Sequence, residues 1–142
     1  MSGLLGLLQL SGRGGNELFV YDDCLVRAST GLIAAVQADQ PITPAALSGD
    51  LDELRGLSPD ELVMRHPDNR MVRRRDVRDA TLARGRWPAT GLRRLTLQLH
   101  SGTVVRYEWA GDTATRPLNH DSYAAELLST ALQELLVVRL AR

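Results

Sequence analysis

Hydrophobic and polar residues alternate over residues 92–109, with the period of two that is typical of a half-buried strand. A two-residue loop at Ser101-Gly102 would mix the two faces. A three-residue loop, His100-Ser101-Gly102, keeps one face apolar by pairing Leu97 with Val105 and Leu95 with Tyr107. This loop gives Gly102 the left-handed position of a type I turn with a bulge. The sequence therefore predicts a β-hairpin with that register.

Similar patterns predict further strands at residues 4–10, 17–21, 25–28, 70–73 and 77–84. In the first of these, Leu4, Leu8 and Leu10 are expected on one side of the sheet. The second and third strands form a hairpin around Asp22-Asp23-Cys24. With a three-residue loop, Cys24 would take a left-handed conformation at an exposed tip. The residues Arg74-Arg75-Asp76 are expected at the corner between the strands at 70–73 and 77–84.

Helical patterns occupy three other parts of the chain. Residues 30–39 have apolar residues at helical spacing, and Ser58-Pro59-Asp60-Glu61 combines a capping serine with a glutamate three residues later. Residues 30–67 are therefore interpreted as a helical insert. Asp121 or Ser122 caps a final amphipathic helix over residues 121–140. Its apolar stripe comprises Ala124, Leu127, Leu128, Ala131, Leu132, Leu135 and Val138.

These elements predict a mainly β (α+β) domain over residues 1–142. In it, a bent antiparallel sheet or barrel of seven strands is closed by the C-terminal helix. The 142 residues match one domain, 44% apolar content is typical of a globular chain, and the formal net charge is zero. One cysteine excludes an internal disulfide and favours a reducing compartment. The apolar N-terminus has no basic leader segment, so we expect a cytoplasmic protein.

Several segments of the chain share a pattern with a known fold family. They are Glu-Leu-Phe-Val-Tyr-Asp-Asp-Cys-Leu-Val at 17–26, Pro-Asp-Asn-Arg-Met-Val at 67–72, Leu-Thr-Leu at 95–97, Ser-Gly-Thr at 101–103, Trp109 and the Leu127-Leu128 helix. With these segments, the order of elements resembles the pleckstrin-homology-like (PH-like) fold, in a bacterial branch. The resemblance covers most of residues 16–138 apart from the insert, and Cys24 stands where relatives would have glycine. It implies a binding or scaffolding domain without catalytic residues.

Arginine is the residue type whose clustering in the sequence indicates a binding surface. All 17 basic residues are arginine, and ten lie between Arg65 and Arg94 against Asp68, Asp76 and Asp79. Arginine binds phosphate and carboxylate groups through two parallel hydrogen bonds, and tryptophan beside arginine is typical of protein interfaces. The candidate surface for an anionic ligand or a partner, here called the arginine region, comprises Arg73, Arg74, Arg75, Arg78, Arg84, Arg86 and Trp87.

Other chemistries find little support in the sequence. Aromatic residues make up only 4% of the chain, so single-strand stacking of nucleic acid is not expected. The first hairpin loop, where PH-like domains bind phosphoinositides, carries Asp22-Asp23, which has the wrong sign. Histidines 66, 100 and 120 lack the spacing of metal ligands, and no nucleophile has a neighbouring base. No cofactor is expected, and the protein is interpreted as a non-enzyme.

Two functions remain from the sequence. The first is a non-catalytic protein-interaction or scaffolding module that engages a protein partner or a second copy through exposed sheet edges and the Trp87 loop. The alternative is peripheral binding to an anionic membrane, or to a phosphate-bearing ligand, through the basic residues between Arg70 and Arg94. The two differ in their salt dependence and in their need for anionic lipid.

Overall fold

The computed structural model describes residues 3–10, 16–29, 54–85, 91–110 and 121–140. These residues contain eight strands, two α-helices, two further helical residues at 54–55, and two short 3₁₀ segments, at Arg74–Asp76 and Gln133–Leu135. The strands are β1 (Leu4–Gln9), β2 (Asn16–Tyr21), β3 (Cys24–Ser29), β4 (Arg70–Arg73), β5 (Val77–Arg84), β6 (Leu92–Leu99), β7 (Val104–Ala110) and β8 (Leu136–Arg139), and the helices are α1 (Pro59–Met64) and α2 (Asp121–Leu132). The helix predicted at residues 30–39 lies outside the described residues.

The strands form two four-stranded sheets. The first sheet has the antiparallel order β1-β2-β3-β4, and the second has the order β7-β6-β5-β8, in which β8 runs parallel to β5. A mainly β architecture with a C-terminal helix is therefore confirmed. Among the described residues, however, no ladder of hydrogen bonds joins the two sheets, so they do not form a closed barrel. The described strands also number eight, because a strand follows the last helix.

The hairpin of β6 and β7 has the predicted register. Leu95 pairs with Tyr107 and Leu97 pairs with Val105. The backbone N–H of Gly102 donates to the Leu99 carbonyl over 2.9 Å. Gly102 has a φ of 93°, a conformation that a residue without a Cβ adopts at little cost. The alternation of residue types was sufficient to fix this hairpin because one of its faces is buried.

The hairpin of β2 and β3 differs from its prediction. Its loop is the dipeptide Asp22-Asp23, and Cys24 is the first residue of β3 rather than a loop tip. Cys24 is only 1% exposed, and Gln133 is the one non-glycine residue with positive φ in the described part of the chain. The prediction of an exposed Cys24 in a left-handed conformation was therefore wrong. The physical reason is that the first sheet is buried on both faces, so Cys24 finds an apolar environment on the face away from the second sheet.

Strand β1 also departs from simple alternation. Its pairing with β2 is irregular between Leu4 and Gly6. As a result Leu8 and Leu10 contact the core between the sheets, whereas Leu4 packs on the opposite face of the first sheet. The prediction that these three leucines share one side was wrong. Gly6 lies directly beneath α2, where a Cβ atom would approach a Leu127 methyl group to 2.9 Å.

Two apolar cores hold the fold together. The larger core lies between the sheets and α2, and its biggest fully buried side chain is Trp109. The smaller core covers the outer face of the first sheet, where Phe19, Tyr21 and Val26 pack against Leu62 of α1. Helix α1 has the predicted capping box. The Ser58 Oγ accepts from the Glu61 N–H over 3.2 Å, while the Glu61 carboxylate accepts from the Ser58 N–H over 3.1 Å.

Helix α2 ends at Leu132, eight residues before the predicted end. Gln133, with a φ of 54°, turns the chain out of the helix, and β8 begins three residues later. Val138, which the helical pattern placed in the apolar stripe, is 44% exposed in β8. Val137 and Val138 suit an extended strand, because branching at Cβ favours strands. The prediction of a continuous helix over residues 121–140 was therefore wrong.

A buried ion pair fixes the start of α2 on the second sheet. Arg93 of β6 is 5% exposed, and its Nε and Nη2 donate to the two carboxylate oxygens of Asp121 over 2.8 and 3.1 Å. This bidentate geometry is the strong form of an arginine–carboxylate contact. Asp121 also lies in the first turn of the helix, where a negative charge is favoured by the helix dipole.

We predict that Asp121→Asn will lower the free energy of unfolding by about 2–3 kcal/mol, because it removes one partner of a mostly buried ion pair. Glu108→Gln is the matched control. It breaks the Arg94–Glu108 pair, whose side chains are both exposed and 3.4 Å apart, and should cost less than about 1 kcal/mol. Urea denaturation monitored by tryptophan fluorescence measures both values. Equal losses in the two variants would contradict the structural role of Asp121.

A second prediction concerns Glu17, whose pKa is raised to about 7 by burial, with the positive charge of Arg55 offsetting part of the effect. The folded chain then holds more protons than the unfolded chain between pH 4.5 and 7. Stability contributed by this group is therefore fully present below pH 4.5 and is lost as the pH rises through 7. Glu17→Gln should remove most of this pH dependence and raise stability at pH 8 by about 2 kcal/mol. The exposed Glu126→Gln should leave the profile unchanged.

Candidate functional site

The second sheet ends in an exposed, largely apolar edge. Strand β8 pairs with β5 through Ala80–Leu136, Thr81–Val137 and Leu82–Val138. Its other side pairs with no strand in the described part of the chain. An edge strand presents unpaired N–H and C=O groups that can accept another strand. We call Leu136–Arg139 together with its unpaired side the β8 edge.

The side chains of the β8 edge do not block pairing with a further strand. Val137 and Val138 are 48% and 44% exposed, and Leu136 is anchored against the larger core. Natural sheets protect their edges with proline, lysine or inward-pointing charges. The four residues of β8 contain a single charge, on Arg139, and no proline. The short length of β8 is the remaining feature that limits pairing with a further strand.

Sequence reasoning missed this edge because the apolar stripe of α2 continues in phase through Leu135 and Val138. One signal in the sequence pointed to it. Leu-Val-Val at 136–138 places two β-branched residues side by side after a helix rich in alanine and leucine. Periodicity alone does not separate a helix end from a short strand of this kind.

The arginine region is divided between several environments. Arg73 forms an ion pair with Asp60 of α1 over 3.2 Å. Arg74 has a structural role: its Nη1 donates to the Asp22 carbonyl over 3.1 Å and to the Ala131 carbonyl over 3.3 Å. The Arg74 backbone N–H also donates to the Asp23 carbonyl over 2.8 Å. Arg74 thereby holds the β2–β3 loop against the last turn of α2, where a cation is favoured by the helix dipole.

The remaining residues of the arginine region lie along β5 or beyond it. Arg75 is exposed in the 3₁₀ corner, and Arg78 contacts Asp79 and Gln98 on the surface. Arg84 lies six residues after Arg78, about 20 Å away along an extended strand. Arg86 and Trp87 lie outside the described residues. The structure therefore places Arg73, Arg74, Arg75 and Arg78 at or near the β4–β5 corner and separates Arg84 from them.

A depression of about 430 Å³ lies near the end of β5. Arg84 is the one member of the arginine region among its lining residues, and the Arg84 Nε is buried without a hydrogen-bond partner among the described residues. Arg94 and Glu108, which also line it, neutralise one another across 3.4 Å. The charge facing this depression is therefore mixed rather than strongly positive.

The described residues outside these surfaces offer little reactive chemistry. No group of three or more His, Cys, Asp or Glu side chains among them is placed to hold a metal ion. His66 Nδ1 accepts from the Asp68 N–H over 3.1 Å, and His100 lies in the β6–β7 turn. The described helices are all too short or too polar to cross a bilayer.

Comparisons with protein-family models, with curated proteins and with solved structures gave no significant match to this chain.

Cys24 is predicted to be an unreactive thiol. Its pKa is raised to about 12 by burial and by the neighbouring Asp23 carboxylate, with Arg73 offsetting part of the effect. Since the thiolate is the reactive form, an aromatic disulfide reagent at pH 8 should modify the native thiol on the order of a thousandfold more slowly than the unfolded one. A Cys24→Ser, Ser101→Cys variant moves the thiol to the exposed β6–β7 loop and should react at the unfolded rate. Equal rates for native and unfolded wild type would contradict the buried placement.

Proposed function

We propose that this chain is a non-catalytic protein-interaction module of PH-like type that binds by strand addition at the β8 edge. The observation that carries the proposal is the exposure of Val137 and Val138 on a strand whose second side pairs with no other described strand. Strand addition uses backbone hydrogen bonds for affinity and alternate side chains for specificity. In the described part of the chain, β8 offers both unpaired backbone groups and exposed side chains.

The occupant we propose is a second copy of the chain. Two β8 strands related by a two-fold axis would pair antiparallel and join two second sheets into one continuous sheet of eight strands. In the register centred between these two residues, Val137 of one copy would lie opposite Val138 of the other. Arg139, the one charge in β8, lies at the strand end, and the chain has zero formal net charge, so long-range repulsion between copies is small.

A contact made by a four-residue strand is small. Interfaces well below about 1,200 Å² belong to weak and transient complexes, so we expect a dissociation constant of roughly 10 μM or higher. A weak self-association of this kind suits a scaffold that assembles only when it is locally concentrated.

The PH-like assignment rests on the order of elements. Seven strands divided four and three, followed by a C-terminal helix, are compatible with it, and β8 is an addition. A cytoplasmic location is part of the same proposal, and the free, buried Cys24 thiol is consistent with a reducing compartment.

Peripheral binding to anionic membranes has less support. Of the described members of the arginine region, Arg73 and Arg78 contact carboxylates and Arg74 is used within the fold. Attraction to anionic lipid grows with the number of basic residues that reach one surface together. Scattered and paired arginines reduce that number.

Sedimentation velocity tests the proposed function. The wild type at 10–500 μM should show a concentration-dependent shift from monomer to dimer. Val137→Lys combined with Val138→Lys places two charges on the β8 edge and should leave a monomer at every concentration, because like charges facing one another across paired strands are destabilising.

Val104→Lys is the matched control, because Val104 is 42% exposed on β7, the opposite edge strand of the same sheet. This variant should dimerise as the wild type does. A wild type that stays monomeric, or a dimer that is lost equally in Val104→Lys, would contradict pairing at β8.

The membrane alternative is tested by binding of the protein to anionic and to neutral liposomes, each at low and at moderate salt. Binding to anionic vesicles alone, lost on substituting Arg73, Arg74 and Arg75, would favour the membrane alternative.

A further inference from the structure

Two arginines face each other on neighbouring strands of the first sheet. Arg27 of β3 and Arg70 of β4 are cross-strand partners in the antiparallel ladder. Directly opposite residues in such a pair lie about 5 Å apart at Cβ, and like charges there are destabilising. Sequence reasoning included Arg70 only in a general basic stretch and did not consider Arg27. The feature of the sequence that could have drawn attention to Arg27 is its place as the single arginine in the otherwise apolar run Cys-Leu-Val-Arg-Ala at 24–28.

The two arginines lie on the face that looks toward the second sheet. Leu25 and Val72, two positions along the same strands, belong to the core between the sheets. Since alternate residues of a strand share a face, Arg27 and Arg70 continue that inner face to the margin of the core. Both side chains are exposed there. Two charges thus occupy positions where the strand pattern would place apolar residues.

A cleft of about 310 Å³ opens in front of them, between the two sheets. We call it the inter-sheet cleft. Its polar groups are Arg27, Arg70 and Tyr107, and its apolar lining comes from Met71, Val72, Leu99 and Val105. Since a water molecule occupies about 30 Å³ of liquid, the cleft has room for roughly ten non-hydrogen atoms. An apolar lining with a few convergent polar groups is the usual composition of a small-molecule site.

The positive charge of the cleft has no acidic counterpart in the described part of the chain. Neither Arg27 nor Arg70 forms an ion pair with a described carboxylate. Arg70 Nη1 donates to the Pro67 and Asn69 carbonyls over 2.6 and 2.9 Å, which fixes its position and leaves its charge uncompensated. Burial raises the pKa of Tyr107 to about 12, with Arg27 offsetting part of the effect, so its hydroxyl remains a donor at neutral pH.

We propose that the inter-sheet cleft binds a small amphiphilic monocarboxylate, with the carboxylate between Arg27 and Arg70 and the apolar tail on the apolar lining. A carboxylate accepts hydrogen bonds from arginine in a planar, bidentate geometry. It would compensate the two facing charges, which otherwise repel each other. A phosphate monoester has a similar head group but carries up to two charges, which are harder to desolvate in a mostly apolar cleft. This site is on a different surface from the β8 edge and does not depend on it.

Calorimetric titration with octanoate tests the proposal, since octanoate has about ten non-hydrogen atoms and fits the cleft volume. We expect saturable 1:1 binding with a dissociation constant on the order of 0.1–1 mM, typical of a ligand of this size. Acetate supplies the head group alone, octanol the tail alone, and octyltrimethylammonium the tail with the opposite charge. All three should bind at least tenfold more weakly. No saturable binding of octanoate, or equal binding of octanol, would overturn the proposal.

Substitutions locate the binding site. Arg27→Gln should weaken octanoate binding at least tenfold, and Arg70→Gln should act in the same direction. Arg106→Gln is the matched control. Arg106 is exposed on β7 between Val105 and Tyr107, which line the cleft, so the strand alternation directs it to the opposite face. Its octanoate affinity should equal that of the wild type. Unchanged affinity in Arg27→Gln would overturn the assignment to this cleft.

Thermal unfolding without ligand supplies a readout independent of binding. Because Arg27→Gln removes the repulsion with Arg70, the variant should melt at or above the temperature of the wild type, while losing the rise in melting temperature that octanoate gives the wild type. A marked loss of stability in Arg27→Gln would show that the arginine serves the fold, and would overturn the binding role. Octyl phosphate is titrated as the last ligand. If the protein binds it more than tenfold more tightly than octanoate, the assignment of the cleft to a carboxylate is overturned.

Discussion

The apolar stripe of α2 is the constraint on which the rest of the structure depends. Ala124, Leu128, Ala131 and Leu132 are almost completely buried and join residues of both sheets in the larger core. No hydrogen-bonded ladder connects the two sheets in the described part of the chain, so their association depends on side-chain burial in the core that they share with this helix. Each fully buried leucine contributes roughly 1.5–3 kcal/mol, which exceeds what any single polar contact on the surface supplies.

The polar contacts decide where the helix lies rather than whether it packs. Asp121 ties its first turn to Arg93 of the second sheet, and Arg74 ties its last turn to the β2–β3 loop of the first. With both ends fixed, the chain leaves α2 at Gln133 in a defined direction, and β8 joins the side of β5 that does not pair with β6. The exposed β8 edge is therefore a consequence of how α2 is anchored.

Much of the fold could be predicted from residue alternation, and the errors have a common physical cause. The β6–β7 register was predictable because the second sheet buries one face only, so a shift by one residue would expose its leucines. The first sheet is buried on both faces, and there alternation carries little information. Leu4 and Cys24 were misplaced for this reason, since either face of β1 and β3 accepts an apolar side chain. The end of α2 was missed because Val138 fits a helical stripe and a strand equally well.

The candidate sites were harder to predict, because arginine does every task that a basic residue can do in a chain without lysine. Arg74 and Arg93 are parts of the fold, and Arg73, Arg78 and Arg94 contact carboxylates. A count of arginines along the sequence therefore measures structure and solubility as much as ligand binding. The register of β3 and β4 sets Arg27 and Arg70 opposite each other on an inward face. The register of β5 and β6 sets Arg84 opposite Arg93 in the same way, but there Asp121 compensates the charge of Arg93, whereas neither Arg27 nor Arg70 pairs with a described carboxylate. Such a pairing of like charges weakens the free protein, and an anion bound between the two charges is the simplest physical compensation for it.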